Sequence, residues 1–197
     1  GENQNEQCGK TGLSNMHQLT LVREIQDKAV DQVKGGYCHT LVKTIDGIVH
    51  SLGCGDDGQR GDGQEGDFEA RPTVTKVVLP LNVRARQVAA GANHSVVLGE
   101  NGVAYTFGSN DVGQCGVTVG KNDDEEGEPI LAPQPVKLPS KAGKVVQVSA
   151  GYAHTVLTTE KGKVFVFGQN DSGQLGLGAD RVEQAGRSQI TVVDIAC

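Results

Sequence analysis

The sequence predicts an all-β chain made of β-propeller blades, each of four antiparallel strands, and three observations carry that prediction. The tetrapeptide Gly-x-x-His occurs at Gly36, Gly91 and Gly151, spaced 55 and then 60 residues. Behind each copy one ladder recurs without drift: His39, His94 and His154, then a turn glycine at Gly47, Gly102 and Gly162, then a strand-end glycine at Gly53, Gly108 and Gly168. A Gly-Gln pair closes each copy, at Gly58-Gln59, Gly113-Gln114 and Gly173-Gln174. Periods of this length belong to stacked or radial arrays of equivalent units. Finally, each period holds four short strand-like stretches, the number in a propeller blade.

The first two strands of each unit are read from a hairpin signal. Alternating Thr, Val and Ile from His39 to Leu52 are interrupted by Asp46-Gly47, and the sister copies carry Asn101-Gly102 and Lys161-Gly162. Such pairs signal a tight type I′ turn, whose two central residues both need positive φ, so each copy is expected to open with a hairpin of that kind. Two further strands are expected over Pro72–Val78 with Arg86–Ala89, and over Gln134–Leu138 with Lys144–Val148. Between Leu21 and Val33 the apolar residues fall near a helical spacing. Repeat register argues against a helix, because Leu21-Val22-Arg23 aligns with Pro135-Val136-Lys137 and Asp31-Gln32-Val33 with Val146-Gln147-Val148. Strand is therefore expected there.

The repeats divide the chain into the second half of a preceding repeat (1–35), a repeat (36–90), a repeat with an acidic insertion (91–150) and a repeat stopping just before the next Gly-x-x-His (151–197). The opening Asn3 to Gly9 superposes on Asn110 to Gly116, with Glu6 in place of a glycine. The expectation is a fragment of a longer array, completed by further repeats or by association through open strand edges.

Composition narrows the function classes. The chain has 28 Gly, no Trp, three Tyr and four Phe, which suits small strands and tight turns. No apolar run approaches the roughly 20 residues of a membrane helix. Of five cysteines, Cys8 and Cys115 share a repeat position with Leu175 and read as small apolar fillers, so reduced thiols and a cytoplasmic or nuclear location are expected. The sequon at Asn93-His94-Ser95 lies inside the repeat motif and is read as structural.

Net charge is −6, and the acids cluster. Asp62, Glu65, Asp67 and Glu69 occupy one slot; Asp123, Asp124, Glu125, Glu126 and Glu128 occupy the same slot one repeat later. An antiparallel meander puts both slots on one face, together with the blade-to-blade links. Such a face repels phosphate backbones and attracts basic partners. A solvated acidic insertion is the competing reading.

Motifs that suggest chemistry dissolve on inspection. Gly53-Cys54-Gly55-Asp56-Asp57-Gly58 spells a dinucleotide fingerprint, but Gln59-Arg60-Gly61-Asp62-Gly63 cannot open the helix it requires. His39, His94 and His154 sit on successive blades that hold them apart, and are expected to bond neighbouring backbone groups. Gln59, Gln114 and Gln174 read as satisfiers of the Gly-rich turns. Arg60 replaces an apolar residue and must reach solvent, pair with an acid or touch a partner; pairing with Asp56, Asp57 or Asp62 costs least. No catalytic residue, metal site or cofactor is expected.

Gly-x-x-His-Thr, a hairpin ending in an aromatic-Gly pair and Gly-x-Asn-x-x-Gly-Gln-Leu-Gly, best kept from Gly151 to Gly178, resemble the repeat of the regulator of chromosome condensation family. The resemblance covers nearly the whole chain and implies part of a seven-bladed propeller. Leu52, Phe107 and Phe167 stand where the family carries Trp, and Gly55 and Arg60 depart from the pattern in the first copy. The absence of Trp sets the chain apart from the family's tryptophan-based ultraviolet-B photoreceptor. Two functions are compatible with the resemblance: a non-catalytic module for protein–protein interaction, or guanine-nucleotide exchange on a small GTPase of the Ran type. The basic tail used by the chromatin-bound member is missing from this stretch, so no direct nucleic-acid binding is expected.

Overall fold

The computed structural model describes residues 2–10, 15–64, 74–117, 128–177 and, as backbone, 191–193. Twelve strands among them form three antiparallel sheets of four. Blade 1 contains β1 (Val30–Gly35), β2 (His39–Thr44), β3 (Val49–Gly53) and β4 (Val74–Val77). Blade 2 contains β5 (Ala85–Ala90), β6 (His94–Gly99), β7 (Ala104–Gly108) and β8 (Ile130–Pro135). Blade 3 contains β9 (Val145–Ala150), β10 (His154–Thr159), β11 (Val164–Gly168) and β12 (Thr191–Val193). In each sheet the strands pair in chain order, and β5 lies against both β1 and β9, so the first strands line the axis.

The sheets are phased one strand away from the sequence repeat. The stretch expected as a fourth strand, Arg86–Ala89, opens the next blade as β5, and Lys144–Val148 likewise opens blade 3 as β9. Gly-x-x-His is therefore the turn between the first and second strands of one blade, and the true blade-to-blade links, 78–84 and 136–144, leave from the opposite face. We call the two faces the turn face and the link face. The loop slots after β3 and β7 share the turn face with the Gly-x-x-His turns, and the links do not.

Two strand expectations shift. The fourth strand of blade 2 is Ile130–Pro135, earlier than the expected Gln134–Leu138. It carries Pro133 and Pro135, tolerated because it is an edge strand whose missing N–H groups break no inner ladder. At the N-terminal end, Val30–Gly35 is a strand as register demanded, whereas Leu21-Val22-Arg23 is not, since a 3-10 turn occupies Arg23–Ile25. No α-helix forms between Leu21 and Val33.

The core lies between blades. β6 alternates strictly: Val97 faces blade 1 in a cluster with Leu41, Val49, Val88 and Phe107, while Val96 and Leu98 face blade 3 beside Val148, Leu157, Phe165 and Phe167. The period-2 side-chain geometry of a strand lets one strand feed two interfaces. At each joint an apolar side chain seats on a glycine of the preceding unit. A Cβ on Gly61 would lie 2.7 Å from the Phe107 ring, one on Gly116 2.7 Å from Phe167, and one on Gly9 2.9 Å from Leu52. Phe and Leu thus fill the position the family gives to Trp, and truncating Phe107, fully buried, would cost about 3–5 kcal/mol.

Blade joints and the acidic turn face

Each axial strand carries a bulge at the same point. Asp31 and Arg86 lie at register shifts between Val30 and Gln32 and between Ala85 and Gln87, and β9 has the matching shift opposite Thr158 and Thr159. An extra residue re-aims the next side chain, here toward the neighbouring blade. Gln32 Nε2 donates to the Arg86 carbonyl at 3.2 Å, and the Val88 amide donates to Gln32 Oε1 at 3.1 Å. Gln87 repeats the device on Val148, at 2.9 and 3.1 Å. The glutamine amide behaves as a spare peptide group joining two axial strands.

The histidines form the second joint. Ser95 Oγ donates to the Gln59 carbonyl at 2.8 Å, so it accepts from His39 Nε2, 3.0 Å away. Thr155 Oγ1 likewise donates to the Gln114 carbonyl at 2.7 Å and accepts from His94 Nε2 at 2.9 Å. Thr40 Oγ1 donates to the Gln7 carbonyl at 3.0 Å in the equivalent place. The Nε2 partner is thus a hydroxyl of the next blade, which the sequence reading did not anticipate, while His39 also has a backbone group of the expected kind, the Ala92 carbonyl. Burial pushes the His39 imidazole down to about 4 against an opposing pull from the Ala92 carbonyl. Burial, with the charges of His39 and His154, pushes His94 down to about 3. Both rings are neutral at pH 7. His154, less enclosed, is also lowered by burial.

The Gly-x-x-His glycine is explained by that ring. A Cβ on Gly36, Gly91 or Gly151 would lie 2.1–2.2 Å from Cε1 of its own His39, His94 or His154. These glycines are needed for space. Gly53, Gly108 and Gly168, at φ between 96° and 108°, are needed for backbone conformation as well. In the following turn, the amide side chains of Gln59, Gln114 and Gln174 accept the backbone N–H of Asp57, Val112 and Ser172 at 2.9–3.0 Å. Gly58, Gly113 and Gly173 hold φ of 73–77° there.

The acidic residues divide. Asp62, grouped from sequence with a partner-contact loop, is instead drawn inward, its side chain 7% exposed and a carboxylate oxygen 3.6 Å from Arg60 Nε. That settles the partner of Arg60, which also bonds Thr75 Oγ1 and the Gly53 carbonyl. Glu128 is exposed. Glu65, Asp67, Glu69, Asp123, Asp124, Glu125 and Glu126 lie outside the described residues. Sequence reading missed a second acidic series on the same face: Asp56, Asp111 and Asp171, exposed, each 20 residues after its Gly-x-x-His glycine. Burial raises the carboxyl of Asp57, and the charges of Asp111 and Asp56 raise it further, so the negative field spans two blades. Also missed were Tyr37 and Tyr152, each one residue after that glycine and largely exposed. The constant offsets were the available signal.

The cysteine reading needs correction. Cys38 and Cys54 form a disulfide, their Cα atoms 5.4 Å apart. They flank the paired residues His39 and Gly53, where the hairpin itself brings the flanking positions together. Asn93 with Ser109 and Ala153 with Gln169 hold the equivalent places. Reduced thiols therefore describe Cys8 and Cys115 but not this pair, and the inference of a reducing compartment loses its support here. Burial pushes the Cys115 thiol far above its usual range and leaves it unreactive. Among the described residues no group of three His, Cys, Asp or Glu is arranged to hold a metal ion, and no helix is long and apolar enough to cross a membrane.

Known proteins share this pattern. The chain is 43% identical over 141 residues to the regulator of chromosome condensation of Xenopus laevis, covering 71% of this chain and 30% of that protein. It is 34% identical over 149 residues to the ultraviolet-B receptor UVR8 of Arabidopsis thaliana, covering 76% and 31%. The chain thus spans under a third of the length of these relatives. Human WBSCR16 superposes with a TM-score of 0.69 at 27% identity, over 84% of this chain and 40% of that one. The model of the regulator of chromosome condensation (RCC1) repeat matches residues 46–98, 101–158 and 161–197, in register with the glycine ladder, and the chain belongs to that repeat family.

Proposed function

We propose that this chain is a non-catalytic propeller segment whose turn face receives a protein partner with a basic surface. The observation that carries this reading is the acidic series Asp56, Asp111 and Asp171, one carboxylate per blade, on the face that also bears the partly buried Asp57. Glu65, Asp67, Glu69, Asp123, Asp124, Glu125, Glu126 and Glu128 fall in the sequence between strands whose near ends lie on this face, and are proposed as further contacts. A field of one sign steers an oppositely charged partner and speeds encounter. It also disfavours nucleic acid. The hydroxyl–imidazole pairs among the described residues, Ser95 with His39 and Thr155 with His94, are buried, and each hydroxyl gives its proton to a backbone carbonyl, so both pairs serve blade joints.

A second reading is exchange of guanine nucleotide on a Ran-type GTPase, favoured by the 43% identity to the Xenopus laevis regulator. Exchange needs no acid or base; a surface that holds the nucleotide-free GTPase more tightly than the loaded form accelerates release. The test is release of a fluorescent guanine nucleotide from Ran, alongside other small GTPases. Acceleration confined to Ran, lost on replacing Asp123, Asp124, Glu125 and Glu126 by Asn or Gln, establishes the second reading. No acceleration, with salt-sensitive capture of a basic protein, supports the first; absence of both removes the two together.

A further inference from the structure

The axial part of the turn face is an open apolar cleft. Tyr37 and Tyr152, 77% and 73% exposed, line it with Gly36, Gly91, Ala92 and Gly151. Backbone bonds fix its width. The Tyr37 amide donates to the Ala92 carbonyl at 3.0 Å, and the Ala92 amide donates to the Tyr152 carbonyl at 2.9 Å. Two such steps, each about 5 Å, set the tyrosine backbones roughly 10 Å apart with only the methyl of Ala92 between them. Both side chains are exposed, so rotation about their side-chain torsions can bring the rings against a flat group seated over Ala92.

Acidic turns are tied to the backbone that follows the cleft residues. The amides of Cys54, Ser109 and Gln169 each donate, at 2.8 Å, to the carbonyls of Cys38, Asn93 and Ala153, the residues that follow Tyr37, Ala92 and Tyr152. Each turn carrying Asp56, Asp111 or Asp171 is thereby pinned beside the cleft, two residues from the bond. An apolar cleft flanked by two exposed tyrosines, with acidic turns bonded to the backbone beside it, suits a cation that is flat and weakly hydrated. Guanidinium meets both conditions, stacking on aromatic faces while its edge donors reach carboxylates; the compact, strongly hydrated ammonium of lysine meets neither as well.

We propose that this cleft docks an arginine of the partner between Tyr37 and Tyr152, with neighbouring cations of the same basic segment on Asp56, Asp111 and Asp171. The proposal rests on the interaction reading above and names the chemistry of the contact.

The chain carries its own reporter. It has no Trp and three Tyr, of which Tyr105 is buried with its hydroxyl bonded to Asn101, so a change in tyrosine emission on titration reports the cleft. The probes are a fluorescein-labelled Gly/Ser peptide carrying three arginines, the same peptide with lysines, and the same with glutamines. Anisotropy gives affinity for every variant, and tyrosine emission of the unlabelled peptide locates the site. The arginine peptide binds saturably and perturbs tyrosine emission, the lysine peptide binds more weakly, and the glutamine peptide does not bind. The double variant Tyr37→Ala/Tyr152→Ala loses roughly 5- to 30-fold in affinity, and Tyr37→Phe/Tyr152→Phe keeps it. Both side chains are exposed, so the thermal melt stays at the wild-type midpoint. Asp56→Asn/Asp111→Asn/Asp171→Asn weakens binding and flattens its salt dependence.

Wild-type affinity in the double alanine variant overturns the proposal, as does equal binding of arginine and glutamine peptides or no saturable binding. Arginine-peptide binding combined with failure of both Ran exchange and protein capture would uphold the cleft and remove the functional reading. Protein capture that persists in the double alanine variant, without peptide binding, does the reverse.

Discussion

Replacing Gly91 by Ala tests whether the Gly-x-x-His glycine exists to make room for its own histidine. Gly91 has no positive φ, so alanine is compatible with its backbone and any loss is spatial. The new methyl would sit 2.1 Å from His94 Cε1, 2.3 Å from Nδ1 and 2.7 Å from the Gly151 carbonyl. Ordinary contact begins near 3.4 Å, so the ring must retreat by about 1 Å. Its Nε2 bond to Thr155 Oγ1, 2.9 Å long, cannot survive that retreat. Loss of the buried bond costs about 1–3 kcal/mol and overpacking a further 1–3 kcal/mol. The expected destabilisation is therefore roughly 2–6 kcal/mol, read as a fall in the urea midpoint by far-ultraviolet circular dichroism. The control is His94→Ala, which opens the space. In that background the two nearest contacts of the new methyl are gone and the Gly151 carbonyl remains, so Gly91→Ala should cost at least about 1 kcal/mol less, a coupling that a double-mutant cycle isolates. A Gly91→Ala chain within about 0.5 kcal/mol of wild type, or strict additivity of the two changes, would refute the steric argument.

Acid should loosen the joints before it does anything else. His39 and His94 are held neutral in the fold, with pKa values near 4 and 3, while the unfolded chain protonates at about 6.5. The unfolded state binds more protons below that value, so their stabilisation is complete above pH 6.5 and is lost as pH falls toward 4 and below. Replacing both by Gln should flatten a plot of urea midpoint against pH over that window. Glu6 occupies the left-handed conformation, φ 58°, where the other units have glycine; Glu6→Gly should raise stability by about 1 kcal/mol in the same assay. The Cys38–Cys54 bond closes a separation of 16 residues, so reducing agent, or the double change to Ser, should lower stability by up to about 3 kcal/mol. Mass spectrometry after alkylation should show the pair blocked in the untreated chain and free after reduction.

Much of this fold was legible because the repeat states its geometry several times over. A glycine at a hairpin tip, such as Gly102, announces positive φ from one copy, and three copies in register exclude accident; the residues before these glycines, Asp46, Asn101 and Lys161, do not take positive φ, so the tips are not the type I′ turns expected. The blade phase was not legible, because the sequence period is the same wherever the cut is made, and only the pairing of β5 with β6 shows that Arg86–Ala89 opens a sheet instead of closing one. The histidine partners were hidden for a related reason. His39 meets Ser95, 56 residues away, and the hydroxyl beside the next histidine looked like strand filler. Cys38 and Cys54 share no repeat position with another cysteine, as Cys8 and Cys115 do, and only the hairpin register that pairs His39 with Gly53 sets them together. At the turn face the long acidic runs drew notice by composition, whereas Asp56, Asp111 and Asp171 are single residues whose significance lies in a shared offset.

The glutamine and histidine joints have one more consequence. Each blade offers an amide and an imidazole on one side, and a strand backbone and a hydroxyl on the other, so every blade carries a plug and a socket of the same pattern. An array joined this way can gain or lose a unit without inventing a new contact surface, because the incoming blade brings both halves with it. Loops, by contrast, lie outside the connectors. The acid-bearing slots after β3 and β7 can lengthen or change charge while the seams beside them stay closed, so recognition can be rewritten blade by blade on an unaltered frame.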